Sequence, residues 1–359
     1  MPPGRAIGRR LLSRVRQRLD EAESDLQPPG ALMITPTAKI GMYRQMLLIR
    51  RIEERVAEMY GEQQIGGFTH LYIGQEAVAV GAISALNHDD YVIGTYRDHG
   101  HFLARGGDPK RFMAELFGRE TGSCRGKGGS MHLADIEHYF YGGTGIVGGS
   151  MPIASGLALA CSYRGDDRIA MSFFGDGATN QGVWHEALNF AKLWSLPIIF
   201  VCENNFYGIG TGVRLSSSLT EVHKKASGYG MPGYEINGMD VLEVRQQCDE
   251  VVKMVRAGSG PALIEARCYR YQGHSMTDPG RYRARAEEDL WRKRDPIPRL
   301  AKTLVAEGIA GEERLQEIED DIERICEEAV EFATSSPEPP LSALYDHVFS
   351  EPYPSDPHA

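Results

Sequence analysis

Apolar residues recur every three or four positions between residues 37 and 60, with Ile40, Tyr43, Leu47 and Ile52 among them. That period predicts an amphipathic helix. From residue 151 the pattern turns into short alternating blocks. Residues 153–163 carry many small side chains (Ala154, Ser155, Gly156, Ala158, Ala160), as expected of a helix that packs close to a sheet. Residues 168–174 predict a short apolar strand, and residues 181–194 a helix with Trp184, Leu188 and Ala191 on one face. Residues 197–202 are nearly all apolar, the signature of a strand buried on both faces of a parallel sheet. A strand at 234–236, a helix at 240–257 with Asp240 as N-cap and Gly258 just past its end, and a strand at 261–271 continue the alternation. Such alternation implies an α/β fold with a doubly wound parallel sheet. Leu315, Ile318, Ile322, Ile325 and Ala329 then recur at helical spacing among ten acids in residues 311–332, which predicts a solvated amphipathic helix closed off by Pro337, Pro339 and Pro340. Residues 61–150 are rich in Gly and His and are expected to form loops near chemistry more than core.

Composition narrows the class. The chain has 359 residues, 42% hydrophobic and 25% charged, which is ordinary for a globular protein with a sizeable core. A net charge of -10 argues against a nucleic-acid partner. Six scattered cysteines without CxxC pairs fit neither a disulfide framework nor a zinc site and favour a reducing, cytoplasmic setting. No apolar run is long enough to span a bilayer. The first eighteen residues hold six arginines and no acid, which resembles a transit peptide for the mitochondrial matrix. Acids follow at once (Asp20, Glu21, Glu23, Asp25), so a solvated extension is preferred. The expected organisation is an extension of residues 1–30, one large domain with a C-terminal helical region at 31–345, and a tail at 346–359.

The most informative segment is Gly175-Asp176-Gly177-Ala178, at the end of a predicted strand and the start of a helix. Ligands of parallel sheets bind at the carboxyl ends of the strands. Glycines let the backbone approach a phosphate, and a helix start supplies N–H donors. An aspartate among such donors makes sense when a cation bridges it to the anion. The next strand ends in Asn204-Asn205-Phe206-Tyr207, so Asp176 and Asn205 should lie side by side on adjacent parallel strands. A carboxylate, an amide oxygen and a main-chain carbonyl, completed by phosphate and water oxygens, form a set that suits Mg²⁺. Either half alone reads as an ordinary turn.

Gly-Asp-Gly followed at this distance by Asn-Asn resembles the thiamine-diphosphate motif, and the segment 175–211 resembles the alpha subunit of the 2-oxo acid dehydrogenase E1 component. The likeness extends to Ile73-Gly74-Gln75-Glu76-Ala77, Tyr96-Arg97-Asp98-His99-Gly100, Gly126-Lys127-Gly128-Gly129-Ser130-Met131-His132, Gly145-Ile146-Val147-Gly148 and Gly273-His274-Ser275-Met276-Thr277-Asp278-Pro279. The resemblance implies a thiamine-diphosphate-binding fold. It implies that Asp176, Asn205 and the Tyr207 carbonyl hold Mg²⁺, that Tyr96, Arg97, His274, Gly177 and Ala178 contact the diphosphate, and that Gly145 and Val147 hold the aminopyrimidine. His70 would face the substrate. His70 and His274 are expected to act in proton transfer, for which a pKa near neutrality is suited. The decarboxylation chemistry of a small 2-oxo acid would belong to the cofactor. The family's ring-activating glutamate comes from a beta subunit, so an E1 beta partner in an α₂β₂ heterotetramer is implied, with a lipoyl-bearing E2 acyltransferase as acceptor.

Within that family the His274–Pro279 loop and Phe140-Tyr141-Gly142-Gly143 resemble the pyruvate type, whereas Leu71-Tyr72-Ile73-Gly74-Gln75 is also at home in acetoin-type subunits; branched-chain enzymes are related too. Gly149-Ser150 departs from the Ala-Gln frequent in pyruvate-type chains. The loop at Gly280-Arg281-Tyr282-Arg283 is one residue shorter than its animal counterpart and looks bacterial. Ser275 matches a position phosphorylated in mitochondrial relatives, and a loop-forming role is preferred here. Two competing readings are weak. Gly143-Thr144-Gly145-Ile146-Val147-Gly148 fits a dinucleotide fingerprint but lacks a good preceding strand. A catalytically silent scaffold would be expected to lack His70 or Asp176, and both are present.

Overall fold

The computed structural model describes residues 34–348. The expected extension at 1–30, with its arginine run, and residues 349–359 of the expected tail lie outside the described residues.

Five parallel strands form the main sheet: β1 (Tyr91–Ile93), β2 (Ala170–Gly175), β3 (Ile198–Asn204), β6 (Gly233–Asn237) and β7 (Ala262–Arg267), in the order β1-β2-β3-β7-β6. A two-residue antiparallel pair, β4 (Tyr207–Gly208) and β5 (Thr211–Gly212), follows β3. Helix Ser150–Arg164 crosses from β1 to β2, Gly182–Leu193 from β2 to β3, and Val241–Met254 from β6 to β7. This is the α/β parallel-sheet class that the alternating pattern predicts. Every residue of β3 is buried, as its unbroken apolar run requires. Trp184, Leu188 and Ala191 pack against the sheet from their helix.

Capping follows the sequence. Thr35 accepts a hydrogen bond from the Ala38 amide and precedes Pro36, which opens helix Pro36–Gly61. Asp240 accepts from Leu242 and Glu243 at the start of its helix. That helix passes into a wider turn at Val255–Ser259, with Gly258 in the left-handed region at φ 92°. The acidic helix runs Glu312–Ser335 and buries Leu315, Ile318, Ile322, Cys326, Ala329 and Ala333.

Three expectations need correction. Residues 61–150 are core as well as loop: they contain β1 and helices Glu76–Ser84, His99–Ala104 and Pro109–Leu116, all largely buried. Several of their polar residues are interior. Glu53 accepts from the Tyr72 amide at 2.6 Å and pairs with His99 at 2.9 Å, and His99 reaches the Ser130 hydroxyl at 2.8 Å. The strand expected at 261–271 ends at Arg267, because beyond it the chain leaves the ladder for the cleft described below. A short 3₁₀ segment, Asp176–Asn180, bridges β2 and the helix expected at 181–194, which runs Gly182–Leu193. Finally, only part of the small-residue helix faces the sheet. Ala154, Ser155 and Ala158 are buried, but Gly156 is exposed, and so are Ile153, Leu159 and Tyr163.

The apparent dinucleotide fingerprint has another physical origin. No strand precedes it, and a side chain on Gly143 would run into the Asp98 carboxyl and the Thr95 carbonyl. Its glycine makes room for a neighbour, not for a nucleotide.

Candidate functional site

Four neighbouring strands deliver their carboxyl ends to one cleft of about 320 Å³. Tyr96 and Arg97 follow β1, Asp176 and Gly177 follow β2, Asn205 and Tyr207 follow β3, and Arg270 and His274 follow β7. All eight line the cleft. Parallel pairing sets Gly175 opposite Glu203, so the loops bearing Asp176 and Asn205 leave adjacent strands at the same level. The backbones of those loops meet closely: a side chain on Gly177 would stand 3.4 Å from the Gly208 α-carbon.

The turn after β3 is wired in place. Asn204 donates to Glu265 at 2.6 Å and accepts from the Phe206 amide at 3.1 Å. Asn205 donates its amide nitrogen to the Gln75 side-chain oxygen at 2.9 Å, and its own oxygen accepts from the Tyr207 amide at 3.3 Å. These bonds hold Phe206 at φ 71°, a left-handed conformation rare for a bulky residue.

Asp176 is 3% exposed, and no basic side chain among the described residues forms an ion pair with it. Burial pushes its pKa up to about 6, with Glu265 adding to the shift and its own backbone N–H, Arg270 and Lys225 opposing it. A buried acid without a cation is a group that gains much from binding one. The other charged groups of the cleft are Arg97, Arg270 and Glu203. Glu203 is already paired with Tyr72 and, at 3.1 Å, with His101. Arg97 donates to the Leu71 and His274 carbonyls, both at 2.7 Å. Part of its donor fork therefore braces the loops on either side, leaving the remaining N–H groups for the cleft. Burial and Arg270 lower its pKa to about 10, so it stays cationic at neutral pH.

The aromatic side of the cleft is a three-ring cluster. His70 lies 4.6 Å from the Tyr96 ring and 5.0 Å from His274, and Tyr96 lies 5.7 Å from His274. Burial, followed by the Arg97 charge, lowers the pKa of His70 to about 3 and that of His274 to about 4. Neither imidazole has the near-neutral pKa expected of it. Both are neutral in the free chain, and His70 Nδ1 is buried without a partner. The His274 loop is fastened by Asp278, which accepts from the His274 amide at 2.6 Å, the Gly280 amide at 2.9 Å and the Tyr282 hydroxyl at 2.7 Å.

Ala178 and Val147 line the cleft as expected, while His70 and Gly145 stand just outside its lining. Gln75, Glu203 and Arg270 are among the lining residues with no expected role from sequence. Gln75 Nε2 is buried and without a partner, a free donor beside Asn205. Arg270 donates to Tyr282 at 2.7 Å and to the Ile209 carbonyl at 3.2 Å. The signal for Arg270 was its place at the carboxyl end of the strand expected at 261–271; the signal for Gln75 lay only in the resembling motif. A second acidic group, His223 with Glu235 and Glu265, has metal-like spacing. Arg267 already pairs with Glu235 at 2.8 Å, and Glu265 serves Asn204, so this group is an ion-pair network that supports the β3 turn.

A family model described as "Dehydrogenase E1 component" matches residues 44–342. The chain is 48% identical over 307 residues to a protein of Rhizobium meliloti (strain 1021) named pyruvate dehydrogenase E1 component subunit alpha, covering 85% of this chain and 88% of that one. It is 47% identical over 338 residues to a protein of the same name from Porphyra purpurea, covering 92% and 98%. To the chloroplastic pyruvate dehydrogenase E1 component subunit alpha-3 of Oryza sativa subsp. japonica it is 42% identical over 363 residues, covering 98% of this chain and 85% of the relative. Coverage of nearly the whole chain at these identities, together with the matching fold, means that the chain belongs to the dehydrogenase E1 component family, as an alpha-type subunit.

Proposed function

We propose that this chain is the alpha subunit of the E1 component of a pyruvate dehydrogenase complex, which decarboxylates pyruvate with thiamine diphosphate and Mg²⁺ and passes the acetyl group to a lipoyl group on E2. The observation that carries the reading is Asp176: a buried acid without a paired cation, beside Asn205, in a cleft that Arg97 and Arg270 supply with positive charge and whose other acid, Glu203, is already paired. The groups present fit a metal diphosphate. A carboxylate and an amide oxygen are the hard ligands Mg²⁺ prefers. Arg97, Arg270 and the unpartnered Gln75 donor suit phosphate oxygens.

In this reading Asp176, Asn205 and the Tyr207 carbonyl hold the metal. Tyr96, Arg97, His274, Gly177 and Ala178 hold the diphosphate, Gly145 and Val147 the aminopyrimidine, and His70 stands on the substrate side. When bound, the cofactor supplies the carbanion-stabilising centre through which a 2-oxo acid loses CO₂. The chain binds, orients and excludes water. Arg97 carries charge in a buried setting where little water screens it. His70 and His274, kept neutral by burial, each offer one N–H and one lone pair, and negative charge arriving beside them raises their affinity for a proton.

An E1 beta partner is part of the proposal. Ile153, Leu159 and Tyr163 of one helix are exposed, as are Phe190, Leu193 and Trp194 at the end of the next, an apolar face of the kind that marks protein interfaces. The α₂β₂ assembly and the E2 acceptor complete the proposed setting, which is the cytoplasm. Six free cysteines accord with a reducing compartment, and no described helix is long and apolar enough to cross a membrane.

Co-expression with the beta partner and an artificial-acceptor assay on pyruvate, branched 2-oxo acids and acetoin tests the substrate. Turnover of pyruvate above the others is expected; acetoin turnover without pyruvate turnover overturns the choice. For the cofactor site, Asp176→Ala should abolish Mg²⁺-dependent cofactor binding with the fold intact, and unchanged affinity by calorimetry refutes it.

A further inference from the structure

The segment Gly122–His132 looks like a phosphate loop, yet its amides already face an anion from the chain itself. Glu115, fully buried on helix Pro109–Leu116, accepts four main-chain N–H groups. One carboxylate oxygen takes Cys124 at 2.7 Å and Gly126 at 2.9 Å; the other takes Gly128 at 2.8 Å and Gly129 at 3.1 Å. No ion pair to Glu115 exists among the described residues. Successive backbone amides curled round one anion form a nest, whose summed dipoles replace a counter-ion. The glycines serve this geometry. Gly126 sits at φ 74°, and a side chain on Gly128 would meet the His132 carbonyl at 2.4 Å.

The far end of the loop reaches the cleft. Ser130 takes His99, which is held by Glu53, and Glu53 also fixes the Tyr72 amide next to the Leu71 carbonyl that braces Arg97. Met131 and His132 sit against Gly145, with His132 Cε1 3.4 Å and Met131 Cε 3.9 Å from the place a side chain on Gly145 would take. Cleft-lining Val147 and Gly148 follow directly.

We propose that Glu115 is a positioning residue for the reaction: its carboxylate is the internal anion that folds the 122–132 loop and so sets Met131 and His132 as the wall beside Gly145. The proposal rests on the functional reading above. It places Glu115 in control of the aminopyrimidine side of the cleft, where Gly145 and Val147 stand, and not of the diphosphate side, whose ligands stand on the loops after β1, β2, β3 and β7.

The test uses the co-expressed α/β complex. In Glu115→Gln the amide keeps one acceptor oxygen and turns an NH₂ toward backbone donors, so the nest cannot be satisfied. Thiamine diphosphate affinity in Mg²⁺ should fall about 10-fold or more, with the affinity for inorganic diphosphate in Mg²⁺ changed by less than about 2-fold. Trypsin should cut after the exposed Arg125 or Lys127 at least about 10-fold faster than in the unaltered complex, since protection tracks local opening. Gly128→Ala, which displaces the loop while leaving Glu115 in place, should give the same affinity signature and covers the case in which the Gln variant fails to assemble. Unchanged thiamine diphosphate affinity and unchanged cleavage in either variant overturn the proposal. An equal loss of inorganic diphosphate affinity also overturns it, because that marks general destabilisation. Failure of the unaltered complex to bind thiamine diphosphate or turn over pyruvate sinks the functional reading instead, and the cleavage result then still decides whether Glu115 orders the loop.

Discussion

Asn205 donates its side-chain nitrogen to the Gln75 oxygen at 2.9 Å, so the only end of Asn205 left for a cation is its oxygen. Gln75 sits on the loop before helix Glu76–Ser84, far away in the chain, yet it decides which way the proposed metal ligand faces. Outer groups of this kind typically change metal affinity 10- to 100-fold when removed. Gln75→Ala should therefore weaken Mg²⁺-dependent cofactor binding by roughly 10-fold or more. Gln75→Glu keeps the acceptor and should restore the Asn205 orientation while placing a second acid near the diphosphate. Calorimetry on both variants separates the two effects: a loss confined to the Glu variant would mean that orientation of Asn205 is unimportant.

Arg97 offers a second test. Its guanidinium bridges the Leu71 and His274 carbonyls, at 2.7 Å each, while lining the cleft. A lysine is a single point charge and cannot hold both carbonyls and a phosphate oxygen in the fixed geometry of a fork. Arg97→Lys should lower cofactor affinity by about 10-fold or more and cost about 1–3 kcal/mol of stability, from buried carbonyls left without a donor. Titration calorimetry and thermal unfolding of the variant complex check both numbers.

Much of this was legible in the sequence, for identifiable reasons. The run 197–202 and the Trp184–Leu188–Ala191 face are periodic and strongly apolar, so β3 and its preceding helix could be read directly. The pairing of Asp176 with Asn205 followed because parallel strands joined by one helix put their carboxyl ends together. Residues 61–150 misled because several of their glycines and histidines are interior: His99 and His101 are buried against Glu53 and Glu203, partners remote in the chain. No local pattern announces such partners. The histidine pKa values failed for the same reason, since burial and the Arg97 charge are properties of the folded cleft alone. Gln75, Glu203 and Arg270 are single polar residues whose role depends on where three separate loops meet.

Asp176 and His70 make opposite contributions to stability as pH changes. Burial raises the Asp176 pKa to about 6 from an ordinary 3.8. Its ionised form thus destabilises the cofactor-free protein by about 3 kcal/mol above pH 6, and this penalty disappears as pH falls through 3.8. Asp176→Asn should raise the melting temperature of the cofactor-free protein at pH 7.5, with the gain shrinking toward pH 4. Thiamine diphosphate with Mg²⁺ should stabilise the unaltered protein at pH 7.5 and leave the variant nearly unmoved. No gain at pH 7.5 would show that the buried carboxylate carries no such penalty.

For His70 the pKa is depressed, to about 3, so the unfolded chain takes up a proton near 6.5 that the folded chain refuses. Stability from this group is present above pH 6.5 and drains away as pH falls below it. His70→Gln should flatten the loss of melting temperature between pH 6.5 and 4.5. The His70 ring resonances of the cofactor-free chain should show no titration above pH 5. A midpoint near 6.5 would refute the neutral, buried imidazole.

The exposed apolar face predicts where the chain meets the proposed beta partner. Tyr163 is 91% exposed and Leu193 67%, on consecutive helices that flank β2 and are joined through it. Isolated exposed apolar side chains are common, but six of them on two adjacent helices form a patch that water solvates poorly. Neither residue belongs to the core cluster or the cleft lining, so an acid at either position should leave folding and the cofactor ligands alone. Burying a new carboxylate in an apolar interface without a partner is costly. Tyr163→Asp with Leu193→Asp should therefore leave a soluble alpha chain of normal helical content that no longer co-purifies with beta. Sedimentation should shift from the heterotetramer to smaller species. Turnover should fall with assembly, since the family resemblance assigns the ring-activating acid to the beta subunit. A double variant that still sediments as the full complex would place the beta interface elsewhere on the molecule.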